Sequence, residues 1–158
     1  MGHRAPAAPI VAVDINPKRL ALARTLGATH CIDNRKTSFA KRLPKITGGG
    51  VDYALDSTGD AALIRLARNL LNPGGRLALL TGGGGTDDLP GGRKVLSVIQ
   101  GDAVPQRFIP YLIKLYQETR FPFDRLVSYY EFSDINQAIA DAHSGDVIKA
   151  VLRFGSRT

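Results

Sequence analysis

Short apolar runs alternate along this chain with segments whose apolar residues recur at helical spacing, and Gly/Pro turns separate the two. Ile10 to Asp14 reads as a strand. The stretch from Pro17 to Gly27 reads as a helix with Asn16 or Asp14 near its cap and Gly27 as its stop. A weak strand is expected over 29–33, then a basic helix from about 37 to 46 that closes at Gly48-Gly49-Gly50. Strand 51–56 leads to helix 60–71, stopped by Asn72-Pro73-Gly74, and strand 76–81 follows. Residues 81–94 hold six glycines without periodicity and read as a loop, with a strand over 94–99 behind them.

Helix 105–119 is expected to place Pro110 in its first full turn, with Leu112, Ile113, Leu115 and Tyr116 on one face. Strand 127–132 comes next. Ser133 is expected to cap a helix whose inward face is Ile135, Ala138, Ile139 and Ala142, ended by Gly145, before a final strand over 147–154. Strands that alternate with helices across short turns imply parallel pairing and right-handed crossovers. The fold class expected is α/β: an incomplete doubly wound, mostly parallel sheet with helices on both faces. Residues 1–9, which include Pro6 and Pro9, read as a flexible lead-in, and 10–158 as one partial Rossmann-type domain.

Asp14 makes the first strand chemically informative. A carboxylate at the exit of a parallel strand, just ahead of a helix, is where such folds read a ribose diol. The glycine fingerprint that cradles a pyrophosphate lies ~20 residues before such an acid, and the 13 residues ahead of Asp14 contain no G-x-G-x-x-G. The segment therefore reads as a second βα unit. Asp14 could equally serve only as a helix cap, but Ile15 is placed to cover an adenine face and Arg19 to reach the ribose. A carboxylate accepts from two ribose hydroxyls and repels a 2′-phosphate, so NAD rather than NADP is the expected dinucleotide. Ser57-Thr58-Gly59 and Leu80-Thr81-Gly82 leave later strands at the same carboxyl edge, and with Asp14 they outline one crevice.

Composition narrows the partners. The 158 residues carry 21 Lys plus Arg against 14 acids, a net charge of +7. These charges are scattered over polar helix faces, without a run of five and without interleaved aromatics, which argues against nucleic acid. No apolar stretch approaches a membrane span and no signal-type segment leads the chain, so a cytoplasmic location is expected. Cys31 is the single cysteine, which excludes an internal disulfide and a thiolate-cluster zinc site. His3, His30 and His143 lack metal spacing, and no nucleophile elbow or paired-carboxylate motif is present.

The order of IVAVDINPKRLALARTLGATHCID, ITGGGVDYALDSTG, LNPGGRLALL, VIQGDAVPQRFIPYLIKLYQETRFPFDRLV and FSDINQAIADAHSGDVIKAVLRF resembles the coenzyme domain of the zinc-dependent medium-chain alcohol dehydrogenases. The likeness covers residues 10–154 and is nearest to the aryl- or benzyl-alcohol branch. It implies that Asp14 and Arg19 bind the adenosine ribose, Ile15 packs on adenine, and Ser57, Thr58 and Gly59 line that side. It further implies that Leu80, Thr81, Gly82, Val98 and Ile99 approach the nicotinamide, and that Lys149 stands near the pyrophosphate. The resemblance also implies a homodimer through an edge strand near Lys94–Ile99. The family's first βα unit and its zinc-bearing catalytic domain have no counterpart in these residues. The expected reading is thus the NAD-binding portion of an alcohol dehydrogenase, without zinc or turnover of its own and open to a separate catalytic-domain chain.

Two other readings compete. A class I methyltransferase using S-adenosylmethionine also carries an acid after its second strand, but the tail SDINQAIADAHSGDVIKAVL does not suit the hairpin that closes that fold. A non-catalytic nucleotide-binding or dimerising remnant fits the missing parts.

Overall fold

The computed structural model describes residues 7–81, 87–99, 101 and 103–155, and the chain divides into two compact units, residues 1–103 and 104–158. In the first unit, β1 (Val11–Asp14) leads through α1 (Pro17–Thr25) to β2 (His30–Asp33), and the two strands pair in parallel from Val11↔His30 to Asp14↔Asp33. Asn16, not Asp14, caps α1: its side-chain oxygen accepts the N–H groups of Lys18 and Arg19. Successive residues of β2 face opposite ways. The Cys31 thiol donates to the Leu20 carbonyl of α1 at 3.3 Å, while Ile32, fully buried, packs against Phe39 and Leu43 of α2 (Phe39–Thr47). Helices therefore cover both faces of this strand pair.

A second sheet holds β3 (Val51–Asp56), β4 (Leu71–Leu79), β5 (Asp87–Leu89) and β6 (Arg93–Ser97) in the order β3-β4-β6-β5, with α3 (Ala61–Asn69) joining the first two. Pairs β3–β4 and β4–β6 are parallel, and β5 runs antiparallel to β6. One of the unit's two buried clusters sits here, on Leu71, Leu77, Leu79 and Val95, with Val51, Ala54, Ile64, Ala67 and Leu89 packed against it, and the other is centred on Ile32, Phe39 and Leu43. Among the described residues no ladder joins β1–β2 to this sheet.

Several expectations need correction. Asn72-Pro73-Gly74 does not simply stop a helix: these residues form a bulge inside β4, where the register jumps from Val51↔Leu71 to Tyr53↔Arg76. Gly75 makes that bulge compact, since a Cβ there would lie 2.9 Å from the Asn72 carbonyl. The glycine-rich loop hides β5 and a 3₁₀ turn at Pro90–Gly92. Because β5 lines the outer side of β6, the strand near Lys94–Ile99 is not the edge of its sheet, and β6 itself ends at Ser97.

In the second unit, α4 (Pro105–Gln117) starts at Pro105 and carries Pro110 in its interior, not in its first turn. Of its expected face only Leu112 and Leu115 are half-buried, and Ile113 and Tyr116 are exposed. Strand β7 (Val127–Glu131) pairs in parallel with β8 (Lys149–Arg153) across α5 (Ile135–Ser144). Asp134, not Ser133, is the cap residue of α5, because a 3₁₀ turn at Phe132–Asp134 occupies the entry. Ala138 is buried, Ile135 half-buried, and Ile139 and Ala142 are exposed. Gly145, at φ 78°, ends the helix in the left-handed conformation.

Candidate functional site

Strand exits position every candidate residue of the first unit. Asp14 is the last residue of β1 and is half-buried, and its Oδ1 accepts the Asn16 N–H at 2.8 Å. Directly across the ladder stands Asp33. Arg35 takes up that second carboxylate through its backbone N–H at 3.0 Å and a two-pronged guanidinium contact, Nε to Oδ1 and Nη2 to Oδ2, each 3.2 Å. The Arg35 hydrogen bond, first among the causes, holds the Asp33 carboxyl below the usual aspartate range. Of two acids at one sheet end, one is thus occupied by a neighbour and the other keeps most of its acceptor capacity.

Ile15 is exposed beyond Asp14. Arg19, in the first turn of α1, is half-buried, and its Nε is enclosed without a hydrogen-bond acceptor. A buried donor left without a partner is costly in the free protein and points to an acceptor supplied from outside.

The exit of β3 is built differently. Asp56 is buried at 8% exposure and accepts three hydrogen bonds, from Thr58 N (3.2 Å), Thr58 Oγ1 (2.7 Å) and Gly59 N (2.9 Å). Its carbonyl accepts Leu80 N at 2.9 Å, which ties the exits of β3 and β4 together. Gly59, at φ 72°, passes so close to Thr81 that a Cβ would lie 3.0 Å from Thr81 Oγ1. Val98 N donates to the Leu79 carbonyl at 2.9 Å, and Ile99 beyond it is 77% exposed. Ser57, Thr58, Gly59, Leu80, Thr81, Val98 and Ile99 therefore share one edge of one sheet.

Gly82 lies outside the described residues, as does His3. Lys149 is exposed at the start of β8, in the second unit. His30 Nδ1 lies 3.0 Å from Thr29 Oγ1, and His143 Nδ1 lies 3.0 Å from the Ile139 carbonyl, both local contacts. Sequence reasoning overlooked Asp56 and Asp33. The signal for Asp56 was the acid at a strand end followed by Ser-Thr-Gly, the pattern of a side chain that collects backbone N–H groups in a turn.

The family described as zinc-binding dehydrogenase matches residues 4–107. The chain belongs to that family. Its counterpart there is the coenzyme-binding portion of zinc-type alcohol dehydrogenases. Geraniol dehydrogenase from Castellaniella defragrans is 35% identical over 98% of this chain and 44% of its own length. A zinc-binding-domain alcohol dehydrogenase from Burkholderia ambifaria is 43% identical, with TM-score 0.86 over 94% of this chain and 42% of that one. Benzyl alcohol dehydrogenase from Acinetobacter calcoaceticus is 38% identical, also with TM-score 0.86, over 94% of this chain and 43% of that one. This zinc-binding dehydrogenase chain thus spans less than half the length of these relatives. Among the described residues no three His, Cys, Asp or Glu side chains are grouped so as to hold a metal ion, and the Cys31 thiol donates to the Leu20 carbonyl. Among them no helix is long and apolar enough to cross a membrane.

Proposed function

We propose that this chain is the NAD-binding portion of a zinc-type alcohol dehydrogenase acting on primary or aryl alcohols, and that it does not turn over alcohol by itself. One observation carries the reading: Asp14 keeps free acceptor capacity at a strand exit, and Arg19 Nε, in the first turn of the helix that follows, is enclosed without an acceptor. A ribose diol supplies what each lacks, since its hydroxyls donate to the carboxylate and its oxygens accept from the guanidinium. Ile15 then covers the adenine, and Ser57, Thr58 and Gly59 line the adenosine side. Leu80, Thr81, Gly82, Val98 and Ile99 border the nicotinamide. NAD, when bound, supplies the hydride acceptor. The chain's own residues bind and orient it.

Groups outside these 158 residues supply the alcohol site, in a longer polypeptide or in a separate catalytic-domain chain, within the cytoplasm. Lys149 is assigned to the pyrophosphate by resemblance alone, and Lys149→Ala tests it through NADH affinity. Homodimerisation stays within the proposal, now along β5, where Asp87 and Asp88 are locally neutralised by Arg68 and Lys94. A monomer in sedimentation equilibrium at micromolar concentration contradicts that assembly.

Calorimetric titration with NADH, ADP-ribose and S-adenosylmethionine tests the central reading. Saturable binding of the first two that vanishes in Asp14→Ala supports it. Binding of S-adenosylmethionine in their place contradicts the dinucleotide reading, and silence toward all three favours a non-catalytic remnant.

A further inference from the structure

Two carboxylates end neighbouring strands, and a cation has been drawn to only one of them. Asp14 and Asp33 are ladder partners, and the Asn34 N–H donates to the Asp14 carbonyl at 3.1 Å, which fastens the turn after β2 beside Asp14. That turn carries Arg35. Its guanidinium is seated on Asp33 through Nε and Nη2, each at 3.2 Å, with the Arg35 side chain 54% exposed and that of Asp33 15% exposed. The seat itself is held in place, since the Asp33 carbonyl accepts the N–H groups of Lys36 and Thr37 at 3.1 and 3.2 Å.

A planar guanidinium grips a phosphate with the same fork that it offers a carboxylate, so the two compete for it. Neighbouring strands lie about 4.8 Å apart, and a guanidinium lifted from Asp33 has one such spacing to cross to reach a ribose read by Asp14. Lifting it is costly. It would leave a mostly enclosed carboxylate without its cation, beside a second carboxylate of the same sign.

We propose that Asp33 is a specificity-determining positioning residue: by seating the Arg35 guanidinium on its own carboxylate, it withholds from the ribose edge the fork that would otherwise bind a 2′-phosphate. The inference rests on the reading of Asp14 as the acceptor for the ribose diol. It adds a second device to that site. Asp14 repels the extra phosphate directly, and Asp33 keeps the nearest guanidinium from compensating for that repulsion. Exclusion of the phosphorylated dinucleotide is thus shared by both acids of the ladder pair, although only Asp14 touches the diol.

Titration of the full chain with NADH and with NADPH tests this in the parent, in Asp33→Asn, in Asp33→Ser and in Asp33→Asn combined with Arg35→Ala. Asparagine keeps an oxygen where the Arg35 N–H donates at 3.0 Å, so the turn is retained while the charge is lost. Asp33→Asn is expected to bind NADPH about tenfold more tightly than the parent, with NADH affinity changed by less than about threefold. The gain should disappear when Arg35 is also removed. Asp33→Ser, too short to seat the guanidinium, is expected to show the same gain and decides the matter if the asparagine variant misfolds. A gain that survives Arg35→Ala overturns the proposal, because charge alone then explains it. No gain in either single variant, or an equal change for both dinucleotides, overturns it as well and leaves the Asp14 reading standing wherever NADH still binds. Silence of the parent toward NADH contradicts that reading and the present inference together.

Discussion

Asp14 and Asp56 close β1 and β3 with the same local grammar, an apolar strand, an acid, a turn and a helix, yet the structure uses them in opposite ways. Asp56 is buried and accepts three hydrogen bonds from its own turn, so its carboxylate is spent on holding Thr58 and Gly59. Asp14 is half-buried and accepts one, because Asn16 and not the acid caps the following helix. A strand-end acid is available to a ligand only where another residue satisfies the turn. That contrast separates an acid spent on its own turn from one left open at its strand end.

Removing the buried acid gives the largest effect. Asp56→Ala strands three donors in a low-exposure turn, and hydrogen bonds to charged groups are worth ~1.5–3 kcal/mol each with incomplete additivity. A loss of about 3 kcal/mol in urea unfolding is expected, and a change below about 1 kcal/mol would place Asp56 in the same class as Asp14. Asp14→Ala is expected to do the reverse. Its stability stays within about 1 kcal/mol of the parent, while NADH affinity falls tenfold to a hundredfold, since each tenfold is about 1.4 kcal/mol. Thr58→Val sharpens the contrast, because it removes the Oγ1 bonds to Asp56 and from Asp60 N and keeps the shape. About 1 kcal/mol of stability should go.

The smallest effect concerns the third acid of the pattern, Asp33. Its folded-state pKa is depressed by the Arg35 hydrogen bond, so its stabilising share is present above the unfolded value and is lost as pH falls through the folded one. Carboxyl NMR titration should show an Asp33 midpoint below the ordinary aspartate value, returning toward it in Arg35→Ala. An unchanged midpoint would remove the claim that Arg35 occupies this carboxylate.

Much of the site was legible because strand exits are written locally. Val11 to Asp14, with Pro17 and Gly27 bounding the next helix, needs no tertiary information. Ser57 to Gly59 and Leu80 to Thr81 were recognisable as exits, and the structure adds the Asp56-to-Leu80 bond that joins them. The misses arise where tertiary pairing outweighs local chemistry. Proline and glycine at 73 and 74 signal a break, yet the ladder with β3 carries β4 through them as a bulge. β5 spans three residues, too few for a period-2 signal, and exists because β6 offers an open side. Pro110 sits inside α4 although its missing N–H marks it for a first turn. Faces of α4 and α5 read as buried from spacing alone, but spacing gives only which residues lie together, and the neighbours decide whether they are covered.

Discrimination between NADH and NADPH tests the central claim most directly. If the free carboxylate of Asp14 reads the ribose diol, the parent chain binds NADH at least tenfold more tightly than its 2′-phosphorylated counterpart, and Asp14→Ala brings the two affinities together by weakening the first and relieving repulsion of the second. Equal affinities in the parent, or a preference that survives unchanged in Asp14→Ala, would contradict the account.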